Sequence, residues 1–167
     1  MVYLTNTSNM PIEATEGEFP AIMLKKYVLR KDSGGAGEFR GGLGIWREYT
    51  VLNDNVAVNC FGDRQRFAPW GMEGGLDGEP GAFYHISAET GAVTKLSAKT
   101  TGFPLKKGDI IRVFTPGAGG VGDPKKRPVE KVLQDVRENK VSREAAETLY
   151  GVCITEKENG QLDAVRI

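Results

Sequence analysis

The sequence predicts an α+β fold in which a predominantly antiparallel or mixed β-sheet carries glycine-rich loops and is followed by a C-terminal helical hairpin. Short segments of β-branched and aromatic residues recur between turn-forming residues over most of the first 114 positions. Apolar residues at clear helical spacing begin only after Pro128. The chain has 22 glycines, and many of them gather in the connections between the predicted strands.

Six strands are predicted before residue 115, after a short helix over residues 11–19 that Pro20 ends. Their ranges are 22–30, 44–52, 56–61, 83–86, 93–96 and 110–114. Turn-forming residues at 53–55 predict that the second and third strands form an antiparallel hairpin, and a turn at 89–91 separates the fourth and fifth. Residues 103–109 are predicted to form a turn that leads into the sixth strand.

The helical hairpin is predicted from spacing and from residues typical of helix ends. Pro128 suits the first helical position, and the apolar residues after it fall on one stripe, namely Val129, Val132, Leu133 and Val136. Ser142 is the predicted N-cap of a second helix, which Gly151 ends. The hairpin therefore covers residues 128–150, and residues 152–155 follow as a last strand.

The length of 167 residues predicts one domain, which we place at residues 1–155 with the helical hairpin inside it. Residues 156–167 are interpreted as a polar, loosely held tail. No segment approaches the roughly 18 consecutive apolar residues that a membrane-spanning helix requires. The sequence thus predicts a single β-rich domain without a membrane partner.

Charge and residue counts exclude several classes of function. Lys and Arg number 22, as do Asp and Glu, so the formal net charge is 0 and offers no field that attracts nucleic acid or an anionic membrane. One histidine, His85, and two cysteines, Cys60 and Cys153, are too few for a self-contained His/Cys metal site. The cysteines are interpreted as reduced thiols, and the expected location is the cytoplasm.

The most unusual stretch is the loop over residues 32–46, in which a single arginine, Arg40, stands among six glycines. The glycines are at positions 34, 35, 37, 41, 42 and 44. Glycine loses more backbone freedom on folding than any other residue, so a run this dense indicates close backbone approach. The closely packed group is another part of the same protein, a partner subunit or a ligand, and the residues alone leave these three alternatives open.

A second candidate region follows the strand at 56–61. Asp63, Arg64 and Arg66 lie just beyond the strand end, and the planar fork of an arginine suits a carboxylate or a phosphate. The alternative is an Asp–Arg pair that only stabilises the bend. Trp70, a few residues later, is predicted to plug the core.

Motifs for self-contained catalysis are missing from the sequence. Gly117, Gly119 and Gly122 match G-x-G-x-x-G, but residues 123–128 intervene before any helix, so a dinucleotide site is not predicted. We interpret this segment as a glycine-rich connection that faces an anion through Lys125, Lys126 and Arg127. The chain has no Walker A pattern, G-x-S-x-G, H-E-x-x-H or C-x-x-C.

Two residue types that often act as catalysts also lack support. Ser33 would need a base to act as a nucleophile, and the one histidine is 52 positions away. His85 itself lies inside a predicted strand, where a structural role is the usual one, and its near-neutral pKa is the only argument for catalysis. By itself the chain shows no complete active site.

Several separated motifs recur in a fixed order along the chain. They lie at residues 5–13, 29–37, 40–44, 47–48, 63–66, 69–71, 105–109, 115–117, 119–120, 122–124, 135–136, 145–146 and 150–152. Read together, these motifs resemble the carboxy-terminal part of the hydantoinase B/oxoprolinase family, to which acetone and acetophenone carboxylase subunits are related. The resemblance runs from about residue 4 to residue 152, and the agreement of many motifs in order makes it specific.

This resemblance implies an ATP-dependent system with two kinds of component. The kinase-like A-type subunit handles ATP, and the B-type subunit completes the hydrolysis of a cyclic amide or, in the carboxylases, the carboxylation of a ketone. Full B-type subunits are several times longer than this chain, and their metal-binding residues are expected in the amino-terminal part. The resemblance therefore implies that this chain alone binds no cofactor, and that ATP, Mg²⁺ and a divalent metal are held by partner subunits.

The motif positions that we expect at an active centre or at a neighbouring subunit come from three segments. They are Asn6, Asn9, Glu13, Ser33, Gly34, Gly35, Arg40, Gly41, Gly42, Asp63, Arg64 and Arg66. We expect a piece of a hetero-oligomeric hydrolase or carboxylase that is an enzyme only within the complex and that exposes an apolar patch. The alternative is a non-catalytic binding or assembly module whose glycine loops are closed by its own residues.

Overall fold

The computed structural model describes residues 11–157 and 160–167 of the chain. Asn6 and Asn9 lie outside the described residues. The helices are α1 (Ile12–Glu18), α2 (Val129–Arg137) and α3 (Arg143–Tyr150), with a 3₁₀ turn at Pro124–Lys126. The strands are β1 (Ile22–Leu29), β2 (Ile45–Val51), β3 (Val56–Phe61), β4 (Ala82–Ile86), β5 (Val93–Leu96), β6 (Lys99–Leu105), β7 (Ile110–Phe114), β8 (Val152–Glu156) and β9 (Leu162–Arg166). The predicted α+β class is confirmed.

The largest layer is a five-stranded sheet in the order β1-β2-β7-β4-β5, and every neighbouring pair is antiparallel. Strand β2 lies between β1 and β7, with Trp46 opposite Val28 on one side and opposite Phe114 on the other. A register shift between Leu24 and Lys26 bulges β1 at Lys25. This bulge accommodates the lysine that interrupts the alternation in the sequence.

The predicted hairpin between β2 and β3 is wrong, because β3 pairs instead with β6 in a separate two-stranded ribbon. The chain leaves the main sheet at residues 53–55, where Asn55 has a φ of 61°. Strand β6 was not predicted, since Gly102 and Pro104 within it are residues that strands usually avoid. The turn predicted at 103–109 is therefore a strand up to Leu105 and a turn only beyond it.

Two apolar cores hold the layers together. In the first core, residues of the main sheet pack against the ribbon, and its buried members are Val51, Cys60, Leu96, Leu105 and Ile111. In the second core, the helices pack against β8, and its buried members are Val132, Val141, Ala146, Tyr150 and Val152, together with Ala36 from a glycine-rich loop. The glycine-rich loops therefore connect to the helical part through a shared core.

The C-terminal elements follow the sequence closely. Ser142 Oγ accepts a hydrogen bond from Ala145 N at 3.0 Å, and Gly151 ends α3 with a left-handed φ of 62°, so both predicted helix ends are confirmed. The expectation of a loosely held tail is wrong for residues 162–166, which form β9 and pair with β8. Arg166 fixes this strand by donating to the carbonyl of Tyr150 at 3.0 Å.

Candidate functional site

Three glycine-rich loops pack backbone against backbone, and we call them the first loop (residues 30–44), the second loop (62–81) and the third loop (115–123). A Cβ atom on Gly117 of the third loop would stand 1.7 Å from the carbonyl oxygen of Ser33 in the first. A Cβ atom on Gly119 would stand 1.9 Å from the carbonyl oxygen of Trp70 in the second. The group that packs against the glycines of Arg40's loop is thus another part of the same chain.

Backbone hydrogen bonds join these loops into one unit, the glycine-loop body. Gly35 N donates to Ala118 O at 2.8 Å, which ties the first loop to the third. Leu76 N donates to Ala36 O at 2.7 Å, which ties the second loop to the first. The predicted G-x-G-x-x-G segment takes part in this packing, and the 3₁₀ turn that follows it begins only at Pro124.

Ser33 closes the base of the first loop and is fully buried, with an exposed fraction of 0%. Its Oγ accepts a hydrogen bond from Gly44 N at 2.8 Å and donates to the carbonyl oxygen of Arg30. Both ends of the loop are therefore held through one hydroxyl. Gly34, Gly35, Gly41 and Gly42 lie in the same loop, and a Cβ on Gly34 would stand 2.3 Å from Gly41 O.

Arg40 is held by the buried carboxylate of Asp135 in α2, and together with Arg127 these residues form the buried arginine cluster. Arg40 Nε lies 3.1 Å from Asp135 Oδ2, and Arg40 Nη2 lies 3.3 Å from Oδ1. Arg127 Nη2 lies 2.9 Å from Asp135 Oδ2. Only 13% of the Arg40 side chain is exposed. The anion that Arg127 faces is thus a carboxylate of its own chain, and the cluster ties the first loop to the helical part.

Tyr150 of α3 lies in the electrostatic field of this cluster. Burial raises the pKa of its phenol to about 12, against a smaller lowering by the charges of Arg127 and Arg40. The side chain is 2% exposed and belongs to the second core. The tyrosine is consequently neutral over the physiological range.

Arg64 and Arg66 occupy a contrasting environment on the second loop. Arg64 lies over the ring of Trp70 with 4.5 Å between Cζ and the ring centroid, and Arg66 lies over Phe67 at 5.3 Å. Asp63 makes no ion pair with either arginine within the described residues. The core-plug prediction for Trp70 is wrong, because the indole is 62% exposed and supports a guanidinium.

These arginines line a cavity of about 500 Å³, which we call the arginine cleft. It is bounded by residues 62–67 on one side and by Ala98 and Lys99, just before and at the start of β6, on the other. A smaller cavity of about 310 Å³ shares residues 62–65 and reaches Phe83 and the start of the third loop. Arg64 and Arg66 are neighbours in the sequence, but no sequence pattern predicts that Lys99 lines the same cleft.

A second cavity of about 500 Å³ lies between the β3–β6 ribbon and the main sheet. Its walls are mostly apolar and include Phe19, Val58, Phe83 and Ile111. Cys60 also lines it, and burial raises the pKa of this thiol, so that the thiol stays protonated near neutral pH. Among the described residues that line this cavity, most are apolar and the one thiol is protonated.

His85 pairs with Asp109, with 2.8 Å between Nε2 and Oδ2, and the carboxylate also accepts from the backbone N–H groups of Lys106 and Ala88. Burial acts to raise the pKa of Asp109, but the two backbone donors and His85 together hold this pKa below its ordinary value. The His85 ring packs edge-on against Phe103. This arrangement joins the β4–β5 and β6–β7 connections and favours the structural role of His85.

The remaining candidate, Glu13, lies exposed on α1 and lines none of the cavities described above. Within residues 11–157 and 160–167 no group of three or more His, Cys, Asp or Glu side chains is placed to hold a metal ion. The same part of the chain contains no helix long and apolar enough to cross a membrane. The candidate residues that the structure describes thus lie in the first loop, at the arginine cleft and on α1.

Large apolar side chains remain exposed on the glycine-rich loops: Phe39, Phe67, Trp70, Met72 and Leu76. Phe39 and Met72 both form β-bridges with Val121, one antiparallel and one parallel, so they flank the same residue. We call Phe39 and Met72 the apolar pair. Glycine loops closed by their own chain were expected of an assembly module and exposed apolar residues of an enzyme subunit, and the structure has both.

A family model described as hydantoinase B/oxoprolinase matches residues 1–124. An uncharacterized protein of Methanocaldococcus jannaschii is 44% identical over 151 residues, which cover 90% of this chain and 26% of that protein. The caprolactamase subunit beta of Pseudomonas jessenii is 36% identical over 156 residues, which cover 91% of this chain and 26% of that subunit. The chain therefore spans about a quarter of the length of these curated relatives.

Two solved structures have a similar fold. The ATP-dependent caprolactamase from Pseudomonas jessenii superposes with a TM-score of 0.73 at 35% identity, covering 91% of this chain and 26% of that one. Nucleotide-free acetone carboxylase superposes with a TM-score of 0.74 at 19% identity, covering 86% of this chain and 23% of that one. The second likeness concerns the fold alone.

Proposed function

The chain belongs to the hydantoinase B/oxoprolinase family, and from this premise we propose that it is a subunit or carboxy-terminal portion of an ATP-dependent cyclic-amide hydrolase. The observation that carries the proposal is the 36% identity to a caprolactamase subunit beta, of which the chain spans 26%. A solved ATP-dependent caprolactamase shares the fold at 35% identity. The substrate class proposed is therefore a cyclic amide.

The proposed role within that enzyme is to complete its fold and its interfaces. The glycine-loop body and the buried arginine cluster use their own residues to close the first loop, so the chain brings a preformed unit to the assembly. Ser33 is committed to loop closure and the Cys60 thiol is protonated, so neither side chain is an activated nucleophile. The reacting groups come from the remainder of the B-type component.

A divalent metal and ATP with Mg²⁺ are proposed to bind to other chains of the complex. The described residues do not fit a metal site, because no three potential ligands converge among them. A kinase-like A-type subunit would handle ATP, and the rest of the B-type component would pack on this chain. Hydrolysis is proposed over ketone carboxylation, since the likeness to acetone carboxylase at 19% identity concerns the fold alone.

The apolar pair is the proposed contact with the remainder of the B-type component. Phe39 is 63% exposed and Met72 is 56% exposed, although both lie on a body whose backbone is fixed by hydrogen bonds. Exposed apolar side chains on a rigid surface bury area without a large cost in ordering the backbone. This contact distinguishes the proposal from a free-standing assembly module.

Co-purification tests the proposal. The tagged chain is expressed with its genomic neighbours, and ATP turnover is measured with hydantoins, 5-oxoproline, caprolactam and simple ketones. Capture of a kinase-like subunit and an amino-terminal B-type chain, with ATP use stimulated by a cyclic amide, is the expected result. The double variant Phe39→Ser/Met72→Ser should reduce capture, whereas Val93→Ser, which removes an equally exposed apolar side chain on β5, should not.

Three outcomes contradict the proposal in different ways. A lone monomer that leaves ATP use unchanged in the presence of those neighbours would identify a non-catalytic module. Stimulation by ketones with bicarbonate, but not by cyclic amides, would assign the complex to carboxylation. Equal capture of wild type and of the double variant would exclude the apolar pair as the contact.

A further inference from the structure

We propose that the arginine cleft is an oxyanion-binding site that takes a small molecule carrying a carboxylate or a phosphate group. The site consists of Arg64, Arg66 and Lys99 around a cavity of about 500 Å³. The proposal goes beyond the family assignment. It depends on the contacts of these three side chains and not on the presence of any other subunit.

The two cleft arginines differ from every other arginine of the chain. The sequence has ten arginines, and eight of them donate at least one side-chain hydrogen bond. Those eight are Arg30, Arg40, Arg47, Arg112, Arg127, Arg137, Arg143 and Arg166. Within the described residues, the guanidinium groups of Arg64 and Arg66 donate none, so their N–H groups are available to a ligand.

The aromatic contacts of the two arginines do not use those N–H groups. An aromatic ring that contacts the face of a guanidinium leaves its edge, which carries the N–H donors, open for a bidentate contact with an oxyanion. Arg64 Cζ lies 4.5 Å from the ring centroid of Trp70, and Arg66 Cζ lies 5.3 Å from the ring centroid of Phe67, so both guanidinium groups make cation–π contacts. Lys99 is placed comparably, with Nζ 5.2 Å from the ring centroid of Phe61.

The backbone that carries the arginines is fixed before any ligand arrives. Gly62 N donates to Ala98 O at 2.9 Å, and Gly81 N donates to Arg64 O at 3.0 Å. Arg64 has a left-handed φ of 56°, a conformation that costs free energy for a residue with a side chain. These two hydrogen bonds hold the segment that carries the arginines, and a preformed segment lowers the entropic cost of binding.

Charge and size define the ligand class. Three cationic side chains face one carboxylate, Asp63, so the cleft carries a net charge of about +2 in a chain whose formal net charge is 0. A cavity of about 500 Å³ falls within the range of sites that bind small molecules. Phe67, which is 70% exposed and lines the cleft, offers a contact for an apolar or flat part of the ligand.

The experiment is an NMR titration of the full chain with arginine side chains labelled with ¹⁵N. The probes are inorganic phosphate, phenyl phosphate and benzoate, added at constant ionic strength. We expect saturable shifts of the Nε resonances of Arg64 and Arg66, with phenyl phosphate binding more tightly than inorganic phosphate. A preference for phenyl phosphate over benzoate assigns the site to phosphate, and the reverse order assigns it to carboxylate.

Variants locate the binding. Arg64→Gln and Arg66→Gln should each lower the affinity for the more tightly bound probe by about tenfold to a hundredfold, as expected for the loss of charge-assisted hydrogen bonds. Glutamine at position 64 carries the same backbone strain as arginine, so the change acts on the guanidinium alone. Arg143→Gln is the matched control, because it removes the same charge from an exposed ion pair on α3 and should leave binding unchanged.

Two results would overturn the proposal. One is the absence of saturable shifts at Arg64 and Arg66 with all three probes. The other is equal weakening by Arg64→Gln and Arg143→Gln, which would show a general charge effect. If the probes do not bind but Arg64→Gln reduces subunit capture, the cleft is a protein-docking surface and the oxyanion proposal is wrong. A failure of co-purification with intact probe binding would instead contradict only the proposed function.

Discussion

Arg40 and Arg64 stand in similar sequence settings, each in a glycine-rich loop that follows a strand, yet they have opposite roles in the structure. Arg40 is 13% exposed and donates to Asp135, a carboxylate that lies 95 positions further along the chain. Arg64 is exposed, lies on an indole ring and donates no side-chain hydrogen bond to the described residues. The difference arises from what the rest of the fold places beside each guanidinium.

This contrast separates an arginine whose donors the fold uses from an arginine whose donors the fold leaves unused. A buried guanidinium requires a charged partner, because an unpaired charge away from water costs several kcal/mol. Arg40 meets that requirement through Asp135, so its burial is explained without a ligand. Arg64 keeps its donors in water, which costs little, and among the described residues no side-chain or backbone acceptor pairs with them.

The largest expected effect tests the packing that buries Arg40's loop. Gly117→Ala should destabilise the protein by about 4 kcal/mol or more, because its Cβ would stand 1.7 Å from the backbone oxygen of Ser33 and neither backbone can yield. Urea unfolding followed by circular dichroism measures the change. Gly17→Ala in α1 is the control, since no atom lies within 4 Å of its Cβ position, and it should be neutral or stabilising.

A near-neutral Gly117→Ala variant would contradict this account of the glycine-loop body. The loops would then have to relax independently, and the burial of the first loop could not explain the environment of Arg40.

The next effect tests the buried arginine cluster itself. Arg40→Ala should cost about 2 kcal/mol of unfolding free energy, less than the full loss of a buried ion pair because Arg127 still pairs with Asp135. The same urea measurement on Arg143→Ala, whose ion pair with Glu156 is half exposed, should show at most about 0.5 kcal/mol. Equal costs for the two variants would mean that Arg40 is no more structural than a surface arginine.

Local sequence signals identified the elements whose partners are near in the chain. The apolar stripe after Pro128, the Ser142 cap and the Gly151 terminus predicted α2 and α3, because capping and helical spacing are set within a few residues. The short strand-forming segments at 83–86 and 93–96, with turn residues at 89–91 between them, likewise predicted β4, β5 and their turn. The density of glycines also predicted close backbone packing correctly, without identifying the segment that packs.

Such local signals do not predict which residues pair when the partners lie far apart in the chain. The turn residues at 53–55 suit a hairpin, yet β2 pairs with β1 and β7, and β3 pairs with β6. Nothing near Arg40 points to Asp135, and nothing near Arg64 points to Lys99. The sequence therefore identifies both arginines as candidates, but only the fold shows that the donors of Arg40 pair with a carboxylate of the same chain.

An effect of similar size comes from the ionisation of Tyr150, which lies beside the buried arginine cluster. The unfolded-state pKa of tyrosine is about 10, and burial raises the folded-state pKa of Tyr150 to about 12. Between these values the unfolded state has lost a proton that the folded state keeps, so stability falls as pH rises from about 10 to about 12. The unfolding free energy should drop by about 2 kcal/mol over this range through Tyr150 alone.

The measurement is the difference in urea-unfolding free energy between wild type and Tyr150→Phe at several pH values from 9 to 12, where phenylalanine removes the titrating proton with little change in volume. Other tyrosines and lysines titrate in both proteins and cancel in this difference. The variant should lose less stability than wild type as pH rises. Parallel profiles would place the Tyr150 phenol in water and contradict the buried environment described for the second core.

The smallest expected effect is the one that completes the comparison. Arg64→Ala should change the unfolding free energy by less than about 1 kcal/mol, because a cation–π contact at an exposed site contributes only about 0.5–1 kcal/mol and no hydrogen bond to the described residues is lost. The same urea experiment measures it beside Arg40→Ala. A cost for Arg64→Ala that matched or exceeded the cost for Arg40→Ala would make Arg64 a structural residue and would remove the reason for assigning a ligand to the arginine cleft. A small cost, combined with the strained φ of 56° at this position, means that the fold maintains an unfavourable backbone conformation around a side chain it hardly uses for stability.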